Sequence, residues 1–409
     1  MKVNAFTPLV PAPGLAARVS SVPYDVVSTS EARALAEGNP DSLLHVIRAE
    51  IDLPADVNPY SEQVYGTARE NFLRLQSEGR LVRETGPSIY LYRQVMGSHC
   101  QTGIALTCHI EDYENNVIKK HEKTRKVKED DRVALVKSID AHPGPVFLTY
   151  NDVALIDSFV EAWTTSHQAQ ADFVDPTGVR HVVWRVSESD GTPLLEALRA
   201  VSVSYVADGH HRSASAWRVG TEKKAANPNH TGDEPYNWFL SVLFPASQLR
   251  ILPYNRLVRD LNSHTPETFL SALAEAGPLT RGGGAEPAGP GSFGVYLDGH
   301  WYSLALTAVD PDSPIGRLDA SILQDRVLTP LLGIGDPRTD ERIDFVGGIR
   351  GTAELEKRVN SGDFAVAFSL YPVTIQQLID IADADEIMPP KSTWFEPKLR
   401  SGLFIHTLG

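Results

Sequence analysis

Cysteine is almost missing from this chain, which carries only Cys100 and Cys108 among 409 residues. Two thiols cannot build a disulfide framework or a four-cysteine zinc site, and a reducing, cytoplasmic setting is expected. Positive charge is also short: 38 Lys and Arg stand against 52 Asp and Glu, a formal net charge of −14. A groove for nucleic acid needs a basic face, so nucleic acid is not expected as a partner. No apolar run approaches membrane-spanning length, and residues 1–8 hold no apolar stretch of the signal-peptide kind. No membrane partner is expected either. A glycine-rich phosphate loop followed by Lys-Ser/Thr is lacking too. The cluster Gly282-Gly283-Gly284, with Pro287, Gly289, Pro290 and Gly291 behind it, reads as a loop or linker.

What is present has the composition of a soluble globular protein. Hydrophobic residues at 42% and charged residues at 22% leave ample core for two or three domains. Residues 6–27 are rich in proline and β-branched side chains and read as extended segments and turns. Ser28-Thr29-Ser30-Glu31 supplies capping hydroxyls for a helix over 32–37, which Gly38-Asn39-Pro40 ends. The spacing of Val64, Ala68, Phe72 and Leu75 predicts an amphipathic helix over 59–78. Residues 88–95 and 99–110 alternate around Gly97 as a hairpin. A charged helix is predicted over 121–136, and strands over 146–150 and 181–186 with a helix over 155–166 between them. Further strands are predicted over 201–207, 237–244 and 292–306.

The strand over 201–207 delivers the most informative stretch, Asp208-Gly209-His210-His211-Arg212, to the mouth of a helix starting near Ser213. A glycine between strand and helix lets backbone N–H groups approach an anion, and the helix N-terminus adds partial positive charge. Two imidazoles and a guanidinium add the side-chain donors that a phosphate takes. Asp208 is out of place in a pure anion site. A carboxylate beside phosphates holds Mg²⁺ or takes a proton from an attacking hydroxyl.

Three other clusters could carry chemistry. Pro23-Tyr24-Asp25-Val26 places an acid at a turn. His121-Glu122-Lys123-Thr124-Arg125, followed by Lys128 and Arg132, reads as one charged helix face, with His121, Arg125 and Lys128 or Arg132 together. Residues 388–400 pack prolines, aromatics, hydroxyls and the cations Lys391, Lys398 and Arg400 into a segment that cannot be a regular helix. Lys391, Ser392 and Thr393 there are of the type that holds phosphates in a rigid loop.

Together these four segments resemble, over essentially the whole chain, the family catalogued as domain of unknown function 1015. More distantly, the turn at 208–212, and residues 364–388 with Pro390-Lys391-Ser392-Thr393 behind them, are similar to archaeal free serine kinases of the ParB/sulfiredoxin-like superfamily. The resemblance implies an α/β (α+β) fold. A ParB/sulfiredoxin-like nucleotide-binding domain would cover 1–247, with an insertion over about 40–200. A C-terminal α+β domain over 248–409 would contribute a loop to the active site. It also implies transfer of a phosphoryl group from ATP or ADP to the hydroxyl of free L-serine or a related small hydroxy amino acid, with Mg²⁺ as cofactor, in amino-acid metabolism.

In that scheme Gly209, His210, His211 and Arg212 hold the phosphates, Asp208 binds Mg²⁺, and Lys391, Ser392, Thr393 and Lys398 close the site. Arg125 and His121 would meet the acceptor amino acid. The kinases carry their catalytic glutamate on the first β-turn, but the insertion prevents its transfer by counting. Asp25 is the favoured catalytic carboxylate, and Glu122 and Glu31 are the other candidates. A nucleotide-dependent switch of ParB-like type and a nucleotide hydrolase or phosphatase are the competing readings. Self-association into a homo-oligomer is left open.

Overall fold

Val64, Ala68, Phe72 and Leu75 are all buried on helix Glu62–Ser77, as their spacing requires. Helix Thr29–Ala36 opens on a capping box: Glu31 N–H donates to Ser28 Oγ, and Ser28 N–H donates to Glu31 Oε2 at 2.8 Å. Glu31 is thereby a structural cap. Side chains of both helices join Leu44, Ile47 and Ile51 in one apolar cluster. The computed structural model describes residues 1–409. It is a mixed α/β protein with two large sheets. The chain divides into two units, Met1–Leu249 with Pro397–Gly409, and Arg250–Glu396.

The first unit is built on a nine-stranded sheet. Its spatial order is Ile118–Lys119, Ser204–Asp208, Val146–Tyr150, Trp238–Pro245, His99–His109, Ser88–Met96, Arg180–Ser187 and Ala171–Val174, with Val3–Asn4 paired to His99–His109. The expected hairpin forms its centre, Tyr90 facing Ala105 and Met96 facing His99. Leu91, Ile104, Leu148, Val206 and Phe239 are among the side chains that this sheet buries. Strand Ser204–Asp208 runs antiparallel to Val146–Tyr150, and its register shifts between Val206 and Asp208. Such a bulge bends a strand and re-aims the side chains beyond it. Here it falls immediately before the turn that carries the candidate site. The last residues of the chain return to this unit, where His406–Thr407 pairs with Ala141–His142, and Ser401 and Ile405 bridge to Ser21 and Leu9.

Some expected elements start later than their sequence patterns, and the helix over 59–78 begins at Glu62. The strand over 201–207 begins at Ser204, because Val201 N–H closes helix Thr192–Arg199 by donating to the Leu198 carbonyl. The helix over 121–136 begins at Lys126, with Arg125 as its N-cap. His121 is pulled out of it by burial against His210, their ring centroids 4.5 Å apart, and Thr124 Oγ1 donates to Glu129 across the first turn at 2.6 Å. His121 and Arg125 therefore do not share a helix face with Lys128 and Arg132.

The second unit holds a six-stranded antiparallel sheet in the order Leu279–Arg281, His300–Ala305, Ser292–Leu297, Val366–Ser369, Tyr254–Val258 and Ile343–Gly347. The run over 292–306 is thus a hairpin, turned by Asp298 and Gly299 with φ values of 47° and 74°. Positive φ at both central residues is the type I′ geometry that matches strand twist. Phe269, Phe293, Val366 and Phe368 belong to this unit's main core. No helix of the chain is long and apolar enough to cross a membrane.

Candidate functional site

Gly209 links the bulged strand to helix His210–Ala226 with φ at +94°, a conformation that L side chains rarely adopt. A Cβ there would lie 3.0 Å from Arg212 Nε and 3.1 Å from its Cζ, so the missing side chain makes room for the guanidinium to fold back over the turn. Arg212 donates through Nη2 to Asp208 Oδ2 at 2.7 Å and through Nη1 to the Pro145 carbonyl. Its Nε is buried with no hydrogen-bond partner. The other carboxylate oxygen of Asp208 accepts from Lys398 Nζ at 3.2 Å. Burial pushes the Asp208 carboxyl up, but Lys398 and Arg212 more than offset that and hold it well below the usual carboxylate range.

His210, the first residue of the helix, is buried. Its Nε2 has no hydrogen-bond partner, while its Nδ1 lies 3.9 Å from Glu122 Oε2. Burial pushes its imidazole down to about 4, and His211 and Arg212 act in the same direction against Asp208. His121, also buried, is held well below its ordinary value, first by burial and then by His210. His211 Nε2 accepts from the Arg125 backbone N–H at 3.1 Å, which leaves the ring proton on Nδ1. The segment His121–Arg125 is thus fastened against the turn, and Arg218 reinforces it by donating to Glu129 and Asp130 at 2.8 Å each.

The two depressed histidines give the site an acid sensitivity of defined sign. The folded His210 titrates near 4 and the unfolded side chain near 6.5. Between those values the unfolded chain binds a proton that the folded chain refuses, so stability is complete above about pH 6.5 and falls as pH drops toward 4. His406, which burial also pushes to about 4, adds with the same sign. The melting temperature should stay level from pH 8 to 7 and fall between pH 6.5 and 4, less steeply in His210→Asn. An equal slope in that variant would show that His210 is not the source.

Asp25 is exposed on the turn after Tyr24. Arg48 pins that turn, its Nη1 donating to the carbonyls of Tyr24 at 2.7 Å and Val27 at 2.6 Å. The Tyr24 ring lies under the Arg132 guanidinium at 3.8 Å, and Asp25, Arg132 and Arg212 all act electrostatically on the Tyr24 hydroxyl. The sequence brings no attention to Arg48 or Gln94. Gln94 is a fully buried polar residue in a strand, and it donates to the Lys398 carbonyl at 2.9 Å. Arg400, two residues on, donates to Asp175 Oδ2 at 3.4 Å and to the Ser20 carbonyl at 3.0 Å. Lys398 is thus held at its own carbonyl and, two residues on, at Arg400. Lys391, Ser392 and Thr393 lie in the second unit. There Lys391 has φ at +57° and its Nζ sits 5.3 Å from the Tyr254 ring centroid, and Ser392 Oγ donates to the Pro389 carbonyl at 2.7 Å.

The family model DUF1015, described as a protein of unknown function, matches residues 3–321. The chain belongs to this family. No curated protein matches it. Among solved structures, a point mutant of free serine kinase in complex with AMP is 11% identical at a TM-score of 0.37, over 73% of this chain and 92% of that one. A conserved hypothetical protein from Pyrococcus furiosus is 12% identical at a TM-score of 0.36, over 73% and 94%. A C-terminally truncated SbnI from Staphylococcus aureus is 12% identical at a TM-score of 0.39, over 73% and 87%.

In this DUF1015 chain no group of three or more His, Cys, Asp or Glu side chains could hold a metal ion. Both oxygens of Asp208 are already engaged by cations. Asp208 therefore does not fit the Mg²⁺ role expected of it and fits that of a half-buried anchor for Arg212 and Lys398. The turn holds one imidazole and one guanidinium nitrogen, both buried and unsatisfied, at a helix N-terminus.

Proposed function

We propose that the turn at Asp208–Arg212 of this DUF1015 chain binds the phosphates of ATP or ADP. On that reading the chain is a phosphotransferase with a ParB/sulfiredoxin-like core, acting on free L-serine or a related small hydroxy amino acid. One observation carries this reading. His210 Nε2 and Arg212 Nε are buried without partners at the start of helix His210–Ala226. A buried donor or acceptor left unmade costs about 1–3 kcal/mol, and phosphate oxygens at these nitrogens would remove that cost. An anion there also raises the His210 pKa again, so that the ring can donate from both nitrogens.

On this reading the groups of the turn and a nearby carboxylate share out the work of phosphoryl transfer. The acceptor hydroxyl oxygen bonds to the terminal phosphorus while the bond from that phosphorus to its bridging oxygen breaks. The electron pair stays on the departing nucleotide, and the hydroxyl proton passes to a carboxylate, for which Asp25 is the first candidate and Glu122 the second. Arg212, Lys398 and the helix N-terminus balance the charge that develops on the phosphoryl oxygens.

Arg212→Ala should weaken ATP or ADP binding by about 1.5–3 kcal/mol, the usual worth of a hydrogen bond to a charged group. Calorimetric titration of a folded variant checks this, and unchanged affinity would remove the phosphate role from the turn. Turnover with ATP or ADP and a panel of hydroxy amino acids separates the classes. Acceptor-dependent consumption marks a kinase, acceptor-independent consumption a hydrolase, and binding without turnover a switch.

A further inference from the structure

A narrow cavity of the first unit runs behind the phosphate turn, and its wall includes Arg212 itself. Tyr24, the neighbour of Asp25, and Arg132, whose guanidinium covers the Tyr24 ring, form another part of that wall. The cavity therefore touches the proposed phosphate clamp at Arg212 and, through Tyr24, the turn on which Asp25 sits, while Asp25 itself is not part of the wall. The rest of its lining is mostly apolar, with Val136 from helix Lys126–Ile139, Ala216 from helix His210–Ala226, and Phe239 from strand Trp238–Pro245. His142 also lines it, and both ring nitrogens of this buried histidine lack a hydrogen-bond partner.

Each of these features restricts the occupant. An apolar wall gains from covering a methyl or methylene group and gains nothing from a wholly polar molecule. A neutral imidazole has one N–H and one bare nitrogen on different sides of its ring, and burial and His406 keep His142 neutral, so a polar group of the occupant can meet it either as acceptor or as donor. The guanidinium of Arg132 provides a cationic edge suited to a carboxylate. Asp131 already takes the Nε and Nη2 of Arg132 at 3.1 and 2.7 Å, so the charge at that edge is fixed in place.

We infer that this cavity is the acceptor pocket, and that it selects a small hydroxy acid with an aliphatic group on or beyond its hydroxyl-bearing carbon, in preference to free serine. The inference rests on the phosphotransferase reading and deepens it by naming the acceptor class. L-threonine is the simplest such compound, since its extra methyl meets the apolar wall. One methyl or methylene in an apolar pocket discriminates by about 10-fold or more.

The test measures kcat/KM for L-threonine and L-serine, together with calorimetric binding of each amino acid and of the nucleotide. L-threonine should exceed L-serine by about 10-fold or more in kcat/KM. Ala216→Leu fills the cavity and should raise the KM for L-threonine by a similar factor while leaving the nucleotide Kd unchanged. Val136→Ala widens the cavity instead, and should improve L-β-hydroxynorvaline relative to L-threonine even if the filled variant does not fold. Equal use of L-serine and L-threonine would overturn the inference while leaving the kinase reading intact. A raised nucleotide Kd in Ala216→Leu would also overturn it, because the cavity would then hold part of the nucleoside. If the native chain binds no nucleotide, the phosphotransferase reading itself fails. Direct titration of L-threonine into native protein and Ala216→Leu then decides the cavity: binding lost in the variant keeps the pocket, and no binding to native protein removes it.

Discussion

Asp25→Asn is expected to lower turnover by roughly 10²–10⁴, the usual contribution of a positioned general base, with little change in nucleotide affinity. The substitution keeps the shape of the side chain and removes its charge and its capacity to take a proton. Asp25 suits the role because it is exposed on a turn that cannot drift. Arg48 Nη1 holds the carbonyls on either side of it, those of Tyr24 and Val27, and Arg48 is itself fixed through Nε on Glu50 Oε1 at 2.6 Å. A residue that serves only as a turn former would behave differently. It would lose about 1 kcal/mol of stability and keep its rate. Rate and melting temperature measured on one sample separate the two. A normal rate would pass the role to Glu122, which lies 3.9 Å from His210 Nδ1. Glu31 is no longer a strong candidate, because both its backbone N–H and its carboxylate belong to the cap of helix Thr29–Ala36.

Local chemistry was readable where local forces decide. The buried face of helix Glu62–Ser77 and the hairpin Ser88–Met96 with His99–His109 follow from periods of about four and of two. The strand, glycine, helix order at Asp208–Arg212 follows from residue type. What stayed hidden depends on contacts between residues far apart in sequence. Nothing near Lys398 announces that Asp208 will lie 3.2 Å from it, since that pairing needs Gln94 and Asp175 to anchor the returning chain. His121 looked like one more member of a charged helix face, and only its packing on His210 shows that it is buried and neutral. The bulge before Asp208 also leaves no mark in composition, because it is a property of pairing with Val146–Tyr150.

The same pairing makes Asp208 a position where a single change should cost the fold heavily. Asp208→Ala removes the carboxylate that pairs with two largely buried cations: Arg212, whose side chain is 12% exposed, and Lys398, at 14%. Removing one partner of a buried ion pair costs about 3–5 kcal/mol, because the charge left behind stays desolvated. Denaturant unfolding should therefore show a loss of that order, and nucleotide binding should weaken as well, since Arg212 loses the contact that aims it. A charge-neutral replacement distinguishes this from loss of packing. If the cost comes from stranded charge, Asp208→Ala combined with Arg212→Met should be more stable than Asp208→Ala alone, although one more native side chain is gone. If the losses simply add, Asp208 acts through packing, and its ion pairs with Arg212 and Lys398 contribute little. Nucleotide binding should not return in the double variant under either outcome, because the proposed clamp on the phosphates requires the Arg212 guanidinium.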